Sequence, residues 1–199
     1  MKRTTKLRKE SKPTKSRRKV ATPAGLTKPH NALEVLRSRI AESASFFHEF
    51  TIGCVPFRIW PGMNCSNHTD ATSGVEHIRL ENGSPDAPSG GHTGGYSIRL
   101  PDTLEAAASG RHVAVSVVSR GVAGAKSRFA LSYSTNEVGN TGWRWQNAGP
   151  EWAVFTIEYD VPTMKQGRGD FVGILADKEG HPGIEICYLS VSVTERPGK

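Results

Sequence analysis

Residues 111–119 read RHVAVSVVS and residues 152–161 read WAVFTIEYDV, and in both stretches apolar residues alternate with small or polar ones. A period of two is typical of a strand that buries one face, so both stretches are predicted to be β-strands. The same criterion gives further candidate strands over 50–60, 76–80, 95–100, 127–134, 142–146, 170–175 and 184–193. These segments dominate the chain from residue 49 onward and decide its fold class.

Turn-forming residues separate the candidate strands at short intervals, for example at 124–126, 136–142 and 165–169. No candidate strand is followed by a long helical segment, which argues against parallel β-α-β units. We therefore predict an all-β fold of antiparallel sheets packed as a sandwich. Residues 63–95 are rich in Gly, Ser, Asn, Pro and His and are expected to be mostly loop, with short strands inside.

One short helix is predicted in front of the strands, at about 31–47. Asn31 is a suitable N-cap, and Leu33, Leu36, Ile40 and Phe47 follow at roughly helical spacing. The predicted organisation is an arm and linker over 1–30, a helical segment over 31–48 and a sandwich domain over 49–195.

The basic charge of the chain is concentrated at its N-terminus. Residues 1–30 hold eleven Lys or Arg and one acidic residue, Glu10, whereas the remaining residues hold 15 basic and 18 acidic side chains. A segment with so many charges and so few apolar residues is expected to be a disordered arm. Residues 1–20, with Arg17, Arg18 and Lys19 at their most basic point, could bind nucleic acid or another polyanion, or could only improve solubility.

Targeting signals and cysteine spacing give little further information. The arm has no apolar core of a secretory signal, and no run of about 18 apolar residues occurs, so a cytoplasmic protein without a membrane span is expected. Cys54, Cys65 and Cys187 are odd in number and lack CxxC spacing. They are expected to be reduced thiols rather than disulfide or zinc ligands.

No catalytic motif stands out. SGGHTGG at 89–95 lacks the Lys and Ser or Thr of a P-loop, and the chain has no GxSxG, HExxH or EF-hand pattern. His68, His77, His92 and His112 lie on separate segments, so the sequence identifies no metal site. We expect a noncatalytic protein without a cofactor.

The candidate binding residues lie in 133–161. Trp143, Arg144 and Trp145 stand close to Asn140, and Tyr133 could supply a second ring. Aromatic rings offer stacking area while amide and guanidinium groups offer directional hydrogen bonds, a combination that suits a sugar, which has an apolar face and a polar edge. The alternative for either tryptophan is a place in the core.

Five segments together carry a resemblance to a known family: 109–117 (SGRHVAVSV), 133–135 (YST), 142–143 (GW), 152–162 (WAVFTIEYDVP) and 183–193 (GIEICYLSVSV). They resemble the jelly-roll carbohydrate-binding modules with a galactose-binding-like fold. The resemblance implies an eight-stranded jelly roll that binds sugar on the concave sheet face or at the loop tips. It also implies that a structural calcium ion is possible, with Glu185 matching the acidic residue of the last strand.

Two functions from different classes follow. The first is a noncatalytic module that binds carbohydrate through Trp143, Trp145, Arg144, Asn140 and Tyr133. The alternative is a nucleic-acid-associated, capsid-like structural protein whose basic arm neutralises a genome while its jelly roll forms a shell. No residue pattern supports a third possibility, a small enzyme on a β scaffold.

Overall fold

The computed structural model describes residues 29–53, 58–82, 95–177 and 182–198. Within them two antiparallel sheets pack as a jelly-roll β-sandwich with a short helix in front, which confirms the predicted fold class. The basic arm with Arg17, Arg18 and Lys19 lies outside the described residues. The division of the chain into 1–30, 31–48 and 49–195 stays a prediction.

Sheet A contains six strands, which are β1 (Phe46–Glu49), β3 (Met63–Thr69), β4 (Glu76–Asn82), β6 (His112–Gly121), β10 (Ala153–Asp160) and β12 (Ile184–Thr194). The long β12 is central: β6 pairs with one edge of it, and β4 and then β1 pair with the other edge. Strand β10 continues the sheet beyond β6, and β3 continues it beyond β4.

Sheet B contains the other six described strands, which are β2 (Arg58–Ile59), β5 (Tyr96–Arg99), β7 (Ser127–Thr135), β8 (Gly139–Asn140), β9 (Arg144–Ala148) and β11 (Asp170–Ala176). The order across the sheet is β2, β5, β11 and β7. The far edge of β7 pairs with β8 at one end and with β9 at the other.

The core lies between the sheets and is built by the predicted alternation. Val113, Val115 and Val117 are at most 1% exposed, and Phe129 and Leu131 of sheet B are fully buried in the same cluster. Burial of each such side chain contributes about 1.5–3 kcal/mol, so this layer is the main source of stability.

A second apolar layer covers the outer face of sheet A. Leu33 and Ile40 of helix α1 (Pro29–Ala41) are buried together with Val118, Cys187 and Tyr188 of the sheet. Arg37 donates a hydrogen bond from Nε to Oε1 of Glu49 at 2.7 Å. The helix therefore closes this face, and Cys187 is fully buried beneath it.

The predicted helix was misplaced at both ends. It begins before Asn31, which lies inside it, and it ends at Ala41. Phe47 fits the helical spacing, but its segment pairs with β12 as strand β1, because this pairing satisfies backbone groups on the edge of β12 that a longer helix would leave without a partner. Strand β1 therefore belongs to sheet A.

Three further elements differ from the predictions. Residues 50–53 and 58–60 include only the two-residue strand β2 in place of one strand over 50–60. Residues 63–69, expected as loop, form β3. Residues Asp102–Ala108 form a second short helix, α2, which the strand pattern did not predict and which buries Leu104 and Ala108.

Candidate functional site

The side of sheet B that points away from the core is named the sheet B face. Residues directly opposite each other in an antiparallel sheet share a side, and side chains alternate along each strand. The pairing register therefore defines the members of this face, which are Arg58, Ser97, Arg99, Arg128, Ala130, Ser132, Ser134, Asn140, Trp145, Asn147, Phe171, Gly173 and Leu175. Thirteen residues on five neighbouring strands and β8 thus share one side of the sheet, and none of them is acidic. Those in its middle have little exposure, since Ser97, Ala130, Ser132, Ser134 and Leu175 are at most 9% exposed.

Small residues occupy the middle of the sheet B face. Ser97, Gly173 and Ser132 form one cross-strand row, and Ser132 is fully buried. Arg58 lies at the β2 edge of this row, and other large side chains lie at the two ends of the strands, with Arg128 and Trp145 at one end and Arg99 and Phe171 at the other. Four residues of β11 separate the two ends, which corresponds to about 13 Å.

Trp145 is the predicted residue best placed to meet a ligand. Its side chain is on the sheet B face and is 42% exposed. The guanidinium carbon of Arg128 lies 4.2 Å from the centre of its ring, and Nη1 of Arg128 is 3.7 Å from Oδ2 of Asp177. The arginine fixes the indole plane through a cation–π contact, so that the exposed part of the ring is preorganised for stacking.

Asn140 lies on the same face but acts within the chain. Its Oδ1 accepts a hydrogen bond from the backbone N–H of Gly142 at 2.8 Å. Gly142 has a φ of +63°, the left-handed conformation that favours glycine, so the two residues form the turn that leads into β9. Asn140 therefore positions the Trp143–Trp145 segment.

The other three predicted ligand residues are not brought together with Trp145. Arg144 is exposed but lies on the opposite side of β9, because it pairs with core-facing Leu131. Trp143 is half-buried and packs against the core cluster. Tyr133 is fully buried between the sheets and its hydroxyl donates to Oδ2 of Asp170, so its ring has no surface to offer.

Three arginines of the sheet B face, Arg58, Arg99 and Arg128, were not identified from the sequence. Arg128 stacks on Trp145, and the Arg58 guanidinium carbon lies 5.0 Å from the ring centre of Trp60. Trp60 itself packs partly against the core. The only sequence signal for Arg128 is its place in the alternation of 127–134, where it stands beside core-facing Phe129.

The outer face of sheet A carries a charged network in place of an open surface. Glu185 accepts hydrogen bonds from Nη2 of Arg79 at 2.8 Å and from Nε of Arg120 at 2.7 Å, and His77 Nε2 lies 3.5 Å away. Nη2 of Arg120 also donates to Asp70 at 2.6 Å. The same guanidinium lies 4.4 Å from the ring centre of Trp152.

Burial and the hydrogen bonds of this network together determine the pKa values of Glu185 and Asp70. Burial acts to raise the pKa of Glu185, but hydrogen bonds from His77, Arg79 and Arg120 outweigh it and hold the pKa well below its usual range. Burial likewise opposes ionisation of Asp70, while hydrogen bonds from Ser73 and Arg120 lower its pKa to about 2. Both carboxylates are therefore ionised and paired at neutral pH.

The calcium ion that the family resemblance implies does not fit Glu185. Calcium requires several oxygen ligands, whereas both oxygens of Glu185 accept from guanidinium groups. Over the described ranges, no group of three or more His, Cys, Asp or Glu side chains is arranged to hold a metal ion.

Neither helix in the described part of the chain is long and apolar enough to span a bilayer.

Comparisons with known proteins agree with the fold. No protein-family model and no curated protein matches the sequence. Among solved structures, the CBM22-1 xylan-binding domain from Paenibacillus barcinonensis Xyn10C superposes with a TM-score of 0.52 at 13% identity, covering 76% of this chain and 94% of that one. The C-terminal family 22 carbohydrate binding module of Clostridium thermocellum Xyn10B gives 0.54 at 14% identity, over 77% and 94%.

A further xylan-binding domain of CBM 22 superposes with a TM-score of 0.53 at 14% identity, covering 77% of this chain and 97% of its own. The chain therefore has the jelly-roll fold of these carbohydrate-binding modules.

Proposed function

We propose that this protein is a noncatalytic binding module that recognises a carbohydrate on its sheet B face. The observation that carries the proposal is Trp145. Its ring is 42% exposed on a side of sheet B that has arginines but no acidic residue, and Arg128 holds the ring in one plane. A preorganised ring loses little conformational entropy when a sugar stacks on it.

Polar groups around Trp145 supply the hydrogen bonds that a sugar edge needs. Asn147 is exposed next to it on the same strand face, opposite Arg128. The amide can both donate and accept, and the guanidinium donates, which matches the hydroxyl groups of a pyranose. Trp145, Arg128 and Asn147 are therefore the proposed ligand contacts, and Asn140 is the proposed positioning residue.

The fold supports the same conclusion and suggests the first ligand to test. The structural neighbours named above are xylan-binding domains and a carbohydrate binding module. Xylan is accordingly the first polysaccharide of the test panel.

The basic arm is the basis of the second candidate, an anionic partner such as nucleic acid. Eleven basic residues within residues 1–30 favour it. Binding of this kind weakens steeply with salt through counterion release, whereas stacking on a neutral sugar does not. Neutralising Arg17, Arg18 and Lys19 should therefore affect only salt-dependent binding to a DNA or RNA duplex.

The test of the carbohydrate proposal is binding of the full chain to a polysaccharide panel by affinity electrophoresis, with calorimetry on those retained. Trp145→Ala should weaken binding by about tenfold or more while the melting temperature changes little, because the ring is partly exposed.

Trp152→Ala is the matched control, since it removes the tryptophan that stacks under an arginine on the other sheet. It should lower stability without changing affinity at a temperature where the variant is folded. Unchanged binding in Trp145→Ala, or failure of the wild-type chain to bind any polysaccharide, would refute the proposal.

A further inference from the structure

A cavity of about 740 Å³ lies at the end of the sandwich. Helix α2 forms one wall and residues 164–169 form the other. The volume falls within the range of sites for small organic ligands, so the cavity has room for a sugar unit.

The cavity continues the sheet B face. Arg99 belongs to both, and it pairs across the sheet with Phe171. Gly169 lies against these two side chains: a Cβ atom there would be 3.2 Å from Nε of Arg99 and 3.3 Å from Cε2 of Phe171. The cavity and this end of the sheet B face are therefore contiguous through Arg99 and Phe171.

The acidic groups around the cavity are already engaged. Asp102 accepts from Nη2 of Arg99 at 2.6 Å. Glu105, which is 5% exposed, accepts the backbone N–H groups of Arg168 at 2.6 Å and Gly169 at 2.9 Å. Glu105 is therefore held by the loop backbone, whereas Asp102 is largely exposed and is paired with Arg99.

Glu137 engages the same loop from its other side. Its two oxygens accept the backbone N–H groups of Lys165, Gln166 and Gly167 at 2.6, 3.0 and 2.9 Å. Hydrogen bonds from Gln166 and Lys165 lower the pKa of Glu137. The backbone donors of the loop are thus consumed, and only its side chains remain to bind a ligand.

Two cationic side chains of the loop are left for that purpose. Lys165 and Arg168 are exposed at the cavity, and neither forms an ion pair with a carboxylate in the described part of the chain. Arg168 donates only a long hydrogen bond, 3.3 Å, to Oε1 of Gln166. Arg168 acts on Glu137 only through space, where its charge adds to the hydrogen bonds that lower the pKa of Glu137. A neutral sugar would add no charged partner to either cation.

From this arrangement we infer that the cavity holds a uronate unit of the polysaccharide, with its carboxylate between Lys165 and Arg168; the inference rests on the proposed function. A planar guanidinium matches a carboxylate with two parallel hydrogen bonds, and an ammonium adds a point charge. The protein would therefore select acidic over neutral polysaccharides.

The experiment compares acidic polymers with their carboxyl-reduced forms, which keep the backbone but lose the charge. Glucuronoxylan and polygalacturonate are the two probes, and affinities of the full chain are measured at one physiological salt concentration. The wild-type chain should bind an acidic polymer about tenfold or more tightly than its reduced form. The double variant Lys165→Gln with Arg168→Gln should bring this ratio to about one and bind the reduced polymer as the wild type does.

The triple variant Arg17→Gln, Arg18→Gln, Lys19→Gln is the control for attraction by the arm, and it should keep the wild-type ratio. Three outcomes would overturn the inference: a wild-type ratio of acidic to reduced affinity near one, a ratio that is unchanged in the double variant, or a ratio that is lost in the arm variant. Each of them leaves binding to the neutral polymers, and so the proposed function, in place. Binding to none of the four polymers, reduced forms included, would defeat both.

Discussion

The two outer faces of this sandwich use the same pair of residues for different purposes. On sheet A, Arg120 lies 4.4 Å from the ring of Trp152, and on sheet B, Arg128 lies 4.2 Å from the ring of Trp145. Arg120 is also held by Asp70 and Glu185, beside helix α1, whereas Arg128 has one long ion pair. Similar local geometry is therefore enclosed on sheet A, where it stabilises the fold, whereas on sheet B it leaves the Trp145 ring 42% exposed for the proposed binding.

The largest expected difference between the two faces is the stability lost when each arginine is replaced by methionine. Methionine keeps an apolar chain over the tryptophan ring but removes the charge. Arg120→Met should lower the free energy of unfolding by about 3–5 kcal/mol, because Glu185 is only 3% exposed and loses a partner. Arg128→Met should cost about 1 kcal/mol or less, as for other exposed pairs.

Urea unfolding at pH 7 measures both variants. Similar losses in the two would mean that the sheet B pair is structural as well, and the distinction between the faces would fail.

Buried carboxyl groups give the second contrast between the sheets. Glu185 of sheet A is surrounded by cations, whereas Asp170 of sheet B is fully buried with the Tyr133 hydroxyl as its hydrogen-bond donor. Burial raises the pKa of Asp170 to about 6, from an ordinary 3.8, although the Tyr133 hydroxyl acts to lower it. The two groups therefore respond to pH with opposite signs.

The direction in which stability changes with pH depends on whether the folded or the unfolded chain binds more protons. Between about pH 4 and 6 folded Asp170 holds a proton that the unfolded chain releases, so its contribution to stability falls as pH rises through this window. Glu185, with a lowered pKa, contributes stability above its ordinary pKa of 4.5 and loses it as pH falls.

Asp170→Asn removes the carboxyl group, and with it the pH-dependent contribution of Asp170 to stability. The variant should gain stability relative to the wild type as pH rises from 4 to 7, by on the order of 2 kcal/mol. Unfolding free energies at four pH values test this, and parallel wild-type and variant curves would contradict it.

The sequence predicted the parts of the fold that bury one face of a strand. Residues 112–121 and 153–160 follow their alternation because Val113, Val115 and Val117 face the core. Strand β3 has no such pattern, since its sequence MNCSNHT is polar and the strand exists through its pairing with β4. Strand β1 was missed because Phe47 follows Ile40 at a spacing that also fits a helix.

The candidate site was only partly predictable for a related reason. Composition indicated an aromatic segment, but the side on which each ring lies depends on register. Tyr133 and Trp145 are both strand residues, yet pairing directs the first into the core and the second outward. Which outer face stays open depends on where α1 packs, and the cavity depends on α2 meeting residues 164–169. Both are long-range contacts that no local pattern encodes.

The smallest expected change in the free energy of unfolding concerns the turn before Trp145. A local turn holds this segment, whereas ion pairs hold Arg120 over Trp152 on sheet A. Asn140→Ala removes the acceptor for the Gly142 N–H and should cost about 1 kcal/mol. Asn140→Asp keeps an acceptor at the same position and should cost less. Urea unfolding ranks the two, and calorimetric affinity for the bound polysaccharide shows whether the turn also positions Trp145. If alanine and aspartate behave alike, the hydrogen bond is not what holds the segment, and its order would come from the half-buried Trp143 packing on the core instead.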